Sequence, residues 1–299
     1  MRALLLAVRE TAQLFGRQRI LWLPFVCVTF VEALFVGLVW LAPHAPFSDV
    51  LAPPIRFFFG DRVLHYPAHL WFLYHVTRHA YIAATVLVGA FMTGVACAMV
   101  GQIHTGAMLS FRDVLVNRQV HYGRMLLVWI ISWGIATSIA EGSARVAPKS
   151  LLGLLVVVGI TVVLQALFVY AIPAAVFQRA KWWKALLSSV RETARYPLST
   201  LAVVTPPTLL VIGLAVLVPP VKVAEWMGRT QPEWAVACVA VRLIVWMVAD
   251  ALLTVATAHL WWTHRAVSRA ANPAVQVATA RHPHKAAQQP PTQKHPLVA

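Results

Sequence analysis

"LLGLLVVVGITVVLQALFVYAIPAAVF", residues Leu151–Phe177, runs for 27 residues without a charge. About 20 apolar residues in a helix cross a hydrocarbon core of roughly 30 Å, so this stretch is long enough to span a bilayer. Three further uncharged or nearly apolar runs lie at Ile20–Val31, Tyr81–Gly101 and Leu198–Val221. Composition agrees: 60% of the 299 residues are hydrophobic and 12% charged, against roughly 25% charged in an average soluble domain. A soluble globule of this length is excluded, and the chain reads as an all-α integral membrane protein.

Six spans are expected, at about 20–42, 78–103, 124–140, 151–177, 198–220 and 235–262. The third is the least apolar because it carries Ser132, Thr137 and Ser138. An even number puts both termini on one side, and Lys and Arg assign that side to the cytoplasm. On this reading 17 of the 25 cations are cytoplasmic. Arg outnumbers Lys, and Ala, Val and Leu abound, which fits the inner membrane of a bacterium with a GC-rich genome. No cleaved signal peptide is read in "MRALLLAVRE", whose apolar run is too short. Cys27, Cys97 and Cys238 all fall in spans without metal-ligand spacing and read as packing residues.

The pentapeptide "VRETA" occurs at Val8–Ala12 and again at Val190–Ala194, 182 positions on. Extended without a gap, the two copies align Pro24 with Pro206. A diverged copy begins at "SFRDVLV", where Arg112-Asp113 takes the place of Arg9-Glu10 and Arg191-Glu192. These three carboxylates are the only acids assigned to the cytoplasmic side, and each follows an Arg. The chain therefore reads as three repeats, about 3–103, 106–177 and 180–262, each an amphipathic interfacial helix followed by a two-span hairpin. Together they form one polytopic membrane domain over 1–265. In the last copy Lys181, Lys184, Ser188, Arg191/Glu192 and Arg195 recur at helical spacing opposite Trp183, Leu186/Leu187, Val190 and Ala194. Such a helix lies flat with its cations near anionic head groups, as an interfacial anchor or packed under the bundle. Trp182, Trp183, Trp22, Trp40, Trp226, Trp234, Trp261 and Trp262 suit headgroup depth. An outer loop of about 43–78 sets the first copy apart, and the Pro-, Gln- and His-bearing segment 266–299 is expected to be a disordered tail.

This layout resembles bacterial six-span membrane proteins in which a charged "FR.A"-like helix precedes each hairpin, including the membrane domains fused to glycerophosphodiester phosphodiesterases. "SFRDVLV" and "SSVRETARYPLSTLAVV" carry the resemblance, which covers most of residues 3–262. It implies a fold only. No hydrolase domain is present, so no catalytic residue transfers.

Polar groups deep in a bilayer mark function or a structural pair. Glu32 falls near the middle of the first span, Gln165 of the fourth and Asp250 of the sixth, with Arg242 about seven residues into the sixth. Glu32 and Arg242 differ in depth by about three residues, roughly 5 Å of rise, so an ion pair between the first and last spans is expected. The alternative is a proton- or cation-linked role for Glu32 and Asp250 in a polar cavity. His65/His69 and His75/His79 are spaced i, i+4, a spacing metal sites use. No Cys partner or HExxH accompanies them, so an aromatic interfacial helix is the expectation and metal at His75 and His79 the lesser alternative. Pro24, Pro173, Pro206 and Pro207 are read as breaking the hydrogen-bond ladders of their spans, and Pro24 and Pro206 fall at matching places in two repeats, as at some transport sites.

No nucleotide-binding, hydrolase or metalloprotease motif is found, and the net charge of +15 reflects the cytoplasmic bias rather than nucleic-acid binding. No cofactor is expected. The functional expectation is a non-enzymatic accessory, assembly or lipid-associated scaffold component, with the lipid bilayer, its anionic head groups and other membrane proteins as partners. The alternative is a small secondary transporter or permease built on Glu32, Asp250 and Gln165.

Overall fold

The computed structural model describes residues 2–66, 68–116, 120–146, 150–217 and 234–270. Helix α1 (Arg2–Arg17) and a 3-10 turn (Arg19–Trp22) lead into α2 (Leu23–Leu41). Helix α3 (Ser48–Phe59) and a second 3-10 turn (Asp61–Leu64) precede α4 (Ala68–Ala84), which passes through a π-helical turn (Thr85–Gly89) into α5 (Ala90–Thr105). Then follow α6 (Phe111–Val116), α7 (Tyr122–Val146), α8 (Leu151–Phe168), α9 (Ala171–Phe177), α10 (Trp182–Arg195), α11 (Pro197–Leu217) and α12 (Trp234–Ala270). There is no strand among the described residues.

Six helical stretches are long and apolar enough to cross a membrane: Arg19–Leu41, Ala68–Thr105, Tyr122–Val146, Leu151–Phe177, Pro197–Leu214 and Val236–Arg265. They form a ring in chain order. α2 packs on α5, α5 on α7, α7 on α8, α8 on α11, α11 on α12, and α12 returns to α2. α5 also crosses to α12 and α9, and Val95–Val100 along it are all buried. A helix apolar on every side belongs inside, and α5 is the pillar of the bundle. Phe30, Leu34, Leu87, Ile130, Leu155 and Ile244 are exposed on the outer faces, as lipid-facing side chains require.

The fourth span is broken. α8 stops at Phe168 and α9 restarts at Ala171, because Pro173 has no N–H for the Val169 carbonyl and its ring crowds that carbonyl. The freed groups go to α10. Ser189 Oγ donates to Leu167 O (2.7 Å), Thr193 Oγ1 donates to Ala166 O (2.6 Å), and Tyr170 N donates to Ser189 Oγ (3.0 Å). Ala185, Ser189 and Thr193 thus form a buried face of small side chains one turn apart, while Trp182, Trp183, Lys184, Leu187, Val190 and Arg191 stay exposed. α10 has three faces, where the sequence pattern predicts two.

Other boundaries also shift. The second span starts at Ala68 rather than at 78, so the expected outer loop 43–78 is mostly helical. The third span reaches Val146, and α12 carries past 266 to Ala270. Pro24 occupies the first turn of α2, where its missing N–H has no ladder partner to lose, so it breaks nothing. α11 runs unbroken through Pro206 and Pro207. The hydroxyls of Thr205 and Thr208 donate to Leu201 O (2.6 Å) and Val204 O (2.7 Å), flanking the two carbonyls the prolines leave unpaired. Pro67, residues 218–220, Trp226 and the tail beyond Ala270 lie outside the described residues.

Candidate functional site

Between the spans lies a partly open cavity of about 350 Å³. Five of the six spans line it, each with one helical stripe, and α11 stays behind the wall. α2 contributes Phe25, Val28, Thr29 and Glu32, and α12 contributes Met247, Asp250, Leu253, Thr254 and Thr257. The second span presents Tyr81, Thr85, Gly89, Thr93 and Cys97, one turn apart, with the π-helical turn in the middle. Such turns mark functional positions in many helices. Trp129, Ser132 and Trp133 of α7 face Thr161, Gln165 and Phe168 of α8 across it. The Trp129 and Trp133 rings stack with centroids 5.4 Å apart and planes 9° apart.

Three of the four intramembrane polar candidates, Glu32, Asp250 and Gln165, therefore meet in one cavity although they come from the first, fourth and sixth spans. Glu32 is buried, and among the described residues its carboxyl has no hydrogen-bond partner. Asp250 Oδ2 accepts from Tyr81 Oη at 3.4 Å. Gln165 Oε1 lies 2.5 Å from Thr208 Oγ1 of α11, whose single proton it shares with Val204 O, a contact that holds the amide from outside the cavity. Arg242 goes elsewhere: its Nη1 donates to Thr77 Oγ1 (3.1 Å) and its guanidinium lies 4.3 Å from the Trp246 ring centroid. In place of the expected Glu32–Arg242 pair, Glu32 faces the cavity beside Asp250. Glu32 sits at the level of Asp250, eight residues and about 12 Å along the α12 axis from Arg242, so the depths counted along the two spans do not match.

Below the cavity, α5 and α12 close on each other. A methyl group on Gly101 would lie 2.9 Å from Phe177 Cε1 and 3.6 Å from Trp262 Nε1, so any larger residue has to displace the Phe177 ring. Just beyond, His104 Nε2 and His259 Nδ1 are 2.9 Å apart, and His259 Nε2 is 3.2 Å from Glu10 Oε2. One tautomer of each imidazole satisfies the row: His104 donates to His259, which donates to Glu10. This row links the exposed carboxylate of the first "VRETA" in α1 to α12 and α5. The sixth span's Thr254 and Thr257 lie between His259 and Asp250 along the chain.

The remaining candidates separate. His69 is buried, with Nδ1 3.2 Å from Val63 O and Nε2 3.2 Å from Trp40 O, so it ties the outer segment to α2. His65 Nε2 is 3.1 Å from Asp61 Oδ2, whose partner oxygen accepts from Arg56 Nε at 2.6 Å. These two bonds hold the Asp61 carboxyl below its ordinary range. His75 and His79 are exposed, and among the described residues no three metal-ligating side chains converge. Arg9, Arg112, Asp113 and Arg191 are exposed, whereas the residue after each acid, Thr11, Val114 or Thr193, is buried.

Sequence reasoning missed Tyr81, Trp129, Trp133, Thr254 and Thr257. Their signal was present as hydroxyl and small residues at helical spacing, such as Thr85, Gly89, Thr93 and Cys97. His104 and His259 carried none, being lone histidines 155 positions apart. No family model, curated protein or solved structure matches the chain.

Proposed function

We propose that the chain is a small permease of secondary-transporter type that carries a solute through the cavity between its spans. The observation that supports this above all is that Glu32 and Asp250, from opposite ends of the chain, line one partly open cavity of about 350 Å³. That volume is within the range of small-molecule sites, and intramembrane acids at such positions form ion and proton pathways. The α5–α12 closure at Gly101, sealed by Phe177, Trp262 and the His104–His259–Glu10 row, is the inner gate in this reading.

Both termini are cytoplasmic in this proposal, in a bacterial inner membrane, as the Lys and Arg distribution requires. The three helix-plus-hairpin units are repeats: Arg9-Glu10, Arg112-Asp113 and Arg191-Glu192 fall at corresponding positions, each followed by a buried residue. Kinship with the six-span domains that accompany glycerophosphodiester phosphodiesterases is proposed for the fold alone. A second reading, the accessory or lipid-associated scaffold, is supported by the exposed Trp182, Trp183, Lys184 and Arg191 of α10, which suit an interface with anionic head groups.

Reconstituted proteoliposomes with an imposed pH gradient separate the two readings. The permease reading expects the gradient to collapse faster than in empty vesicles, and Glu32→Gln with Asp250→Asn to restore the slow rate. Wild-type vesicles indistinguishable from empty ones, together with a stoichiometric partner after mild-detergent purification, would establish the scaffold reading instead.

A further inference from the structure

The two acids of the cavity lack a counter-charge. The titratable groups lining it are Glu32, Asp250, Tyr81 and Cys97, and no Lys, Arg or His is among its lining residues. Arg242 lies eight residues up α12 from Asp250, about 12 Å along the axis, and is engaged by Thr77 and Trp246. Glu32 is 2% exposed and points a carboxyl without a hydrogen-bond partner, among the described residues, into this space. Buried carboxylates need a paired cation or must be protonated, so the cavity reaches neutrality only by taking up protons or a positive ligand.

The rest of the lining selects among positive ligands. Hard metal cations favour six or more oxygen ligands in a compact shell, whereas most of this wall is apolar and aromatic. Phe25, Tyr81, Trp129, Trp133 and Phe168 line the same cavity as the acids, and Tyr81 reaches Asp250 directly. Indole and phenyl faces attract an organic cation through their quadrupoles, most strongly where water is excluded. A cavity of about 350 Å³ holds a cation carrying one or more aryl groups but is far larger than a bare alkali ion.

We infer that the cavity is a binding site for a monovalent lipophilic organic cation, an ammonium or phosphonium bearing an apolar body, held by Glu32 and Asp250 and walled by the Trp129–Trp133 stack. The inference rests on the permease reading for its place in transport, although binding itself can be measured without it. Exchange is one for one. With both carboxyls protonated the cavity is neutral; an entering cation displaces one proton to the aqueous side and leaves one carboxylate, one carboxylic acid and the cation, again neutral. Proton and cation thus compete for the same oxygens.

The test uses the full-length protein in detergent, with methyltriphenylphosphonium as probe and neutral triphenylphosphine oxide, nearly identical in shape, as control. Equilibrium dialysis is expected to give saturable binding of one cation per chain, at least tenfold tighter than the oxide and weakening as pH falls from 8 to 6. About one proton should be released per cation bound in weak buffer. Glu32→Gln and Asp250→Asn should each weaken binding at least tenfold, while Glu32→Asp, which keeps the charge, retains it and controls for folding. Equal affinity for cation and oxide, no saturable binding, or unchanged affinity in both neutralised variants would overturn the inference. Saturable binding and transport of the oxide alone would leave the permease reading standing and remove the cation. Cation binding without gradient collapse would do the reverse.

Discussion

Glu32 and Asp250 are costly to bury and are kept apart from the nearby cation Arg242, which is engaged by Thr77 and Trp246. Neither acid therefore serves as half of a structural ion pair with it. Neutralising Glu32 should leave thermal stability in detergent unchanged or raised, since replacing a buried charge by a similar neutral group removes a desolvation cost; a loss of several degrees in melting temperature would mean that Glu32 has a structural partner. Gly101 is set by contact, not conformation. Gly101→Ala puts a methyl 2.9 Å from Phe177 Cε1 and should cost about 1–3 kcal/mol as overpacking, read from thermal unfolding. In the segment between the first two spans, Asp61 has a depressed carboxyl pKa through His65 and Arg56. A depressed value means that the Arg56–Asp61–His65 clip contributes above the ordinary carboxylate range and is lost only as pH falls through the lowered one. Protection factors over 48–66, with intrinsic exchange divided out, should accordingly be flat from about pH 7 to 5 and fall only in stronger acid. Asp61→Asn should lower them in the flat range and match the wild type in strong acid.

Among the elements, α10 departs furthest from its sequence pattern. Its cations and tryptophans are legible at helical spacing, and they account for the exposed faces. What is not legible is that Ser189 and Thr193 supply the hydrogen bonds that the break at Val169–Tyr170 leaves open. A serine in a polar face reads the same whether it meets water or a carbonyl from 22 residues away. Ser189→Ala and Thr193→Val should each lower stability by about 1 kcal/mol, on the scale of hydrogen bonds between membrane helices, and the double variant by about the sum if the two bonds act independently. Proline is the second lesson. Pro24, Pro173, Pro206 and Pro207 look alike in sequence, yet only Pro173 sits at a break, because Pro24 lies in a first turn and neighbouring threonine hydroxyls flank the carbonyls freed in α11. Pro206→Ala should therefore leave gradient collapse intact, whereas Gln165→Ala, at the cavity wall, should slow it.

For the molecule as a whole, the number and approximate place of the spans were legible because a bilayer imposes one length and one composition on each. The outer end of the second span was not. His75, Arg78 and His79 dilute its hydropathy, and the helix is held there by α2 and α12 instead. The site was half legible. Depth along each span follows from counting residues, so Glu32, Gln165 and Asp250 could be chosen as buried polar groups. Which of them share a cavity depends on how each helix is rotated in the ring, and that is fixed by packing between spans hundreds of residues apart in sequence. The first span offers the sharpest test of that rotation. Single cysteines placed from Val28 to Phe35 in a variant lacking Cys27, Cys97 and Cys238, and exposed to a small water-soluble thiol reagent in vesicles, should react at Val28, Thr29 and Glu32, with methyltriphenylphosphonium protecting Val28 and Thr29, and stay unreactive at Phe30 and Leu34. Reaction at Phe30 and Leu34 with silence at Thr29 and Glu32 would turn the carboxyl of Glu32 toward lipid, and the cavity would have no acid from the first span.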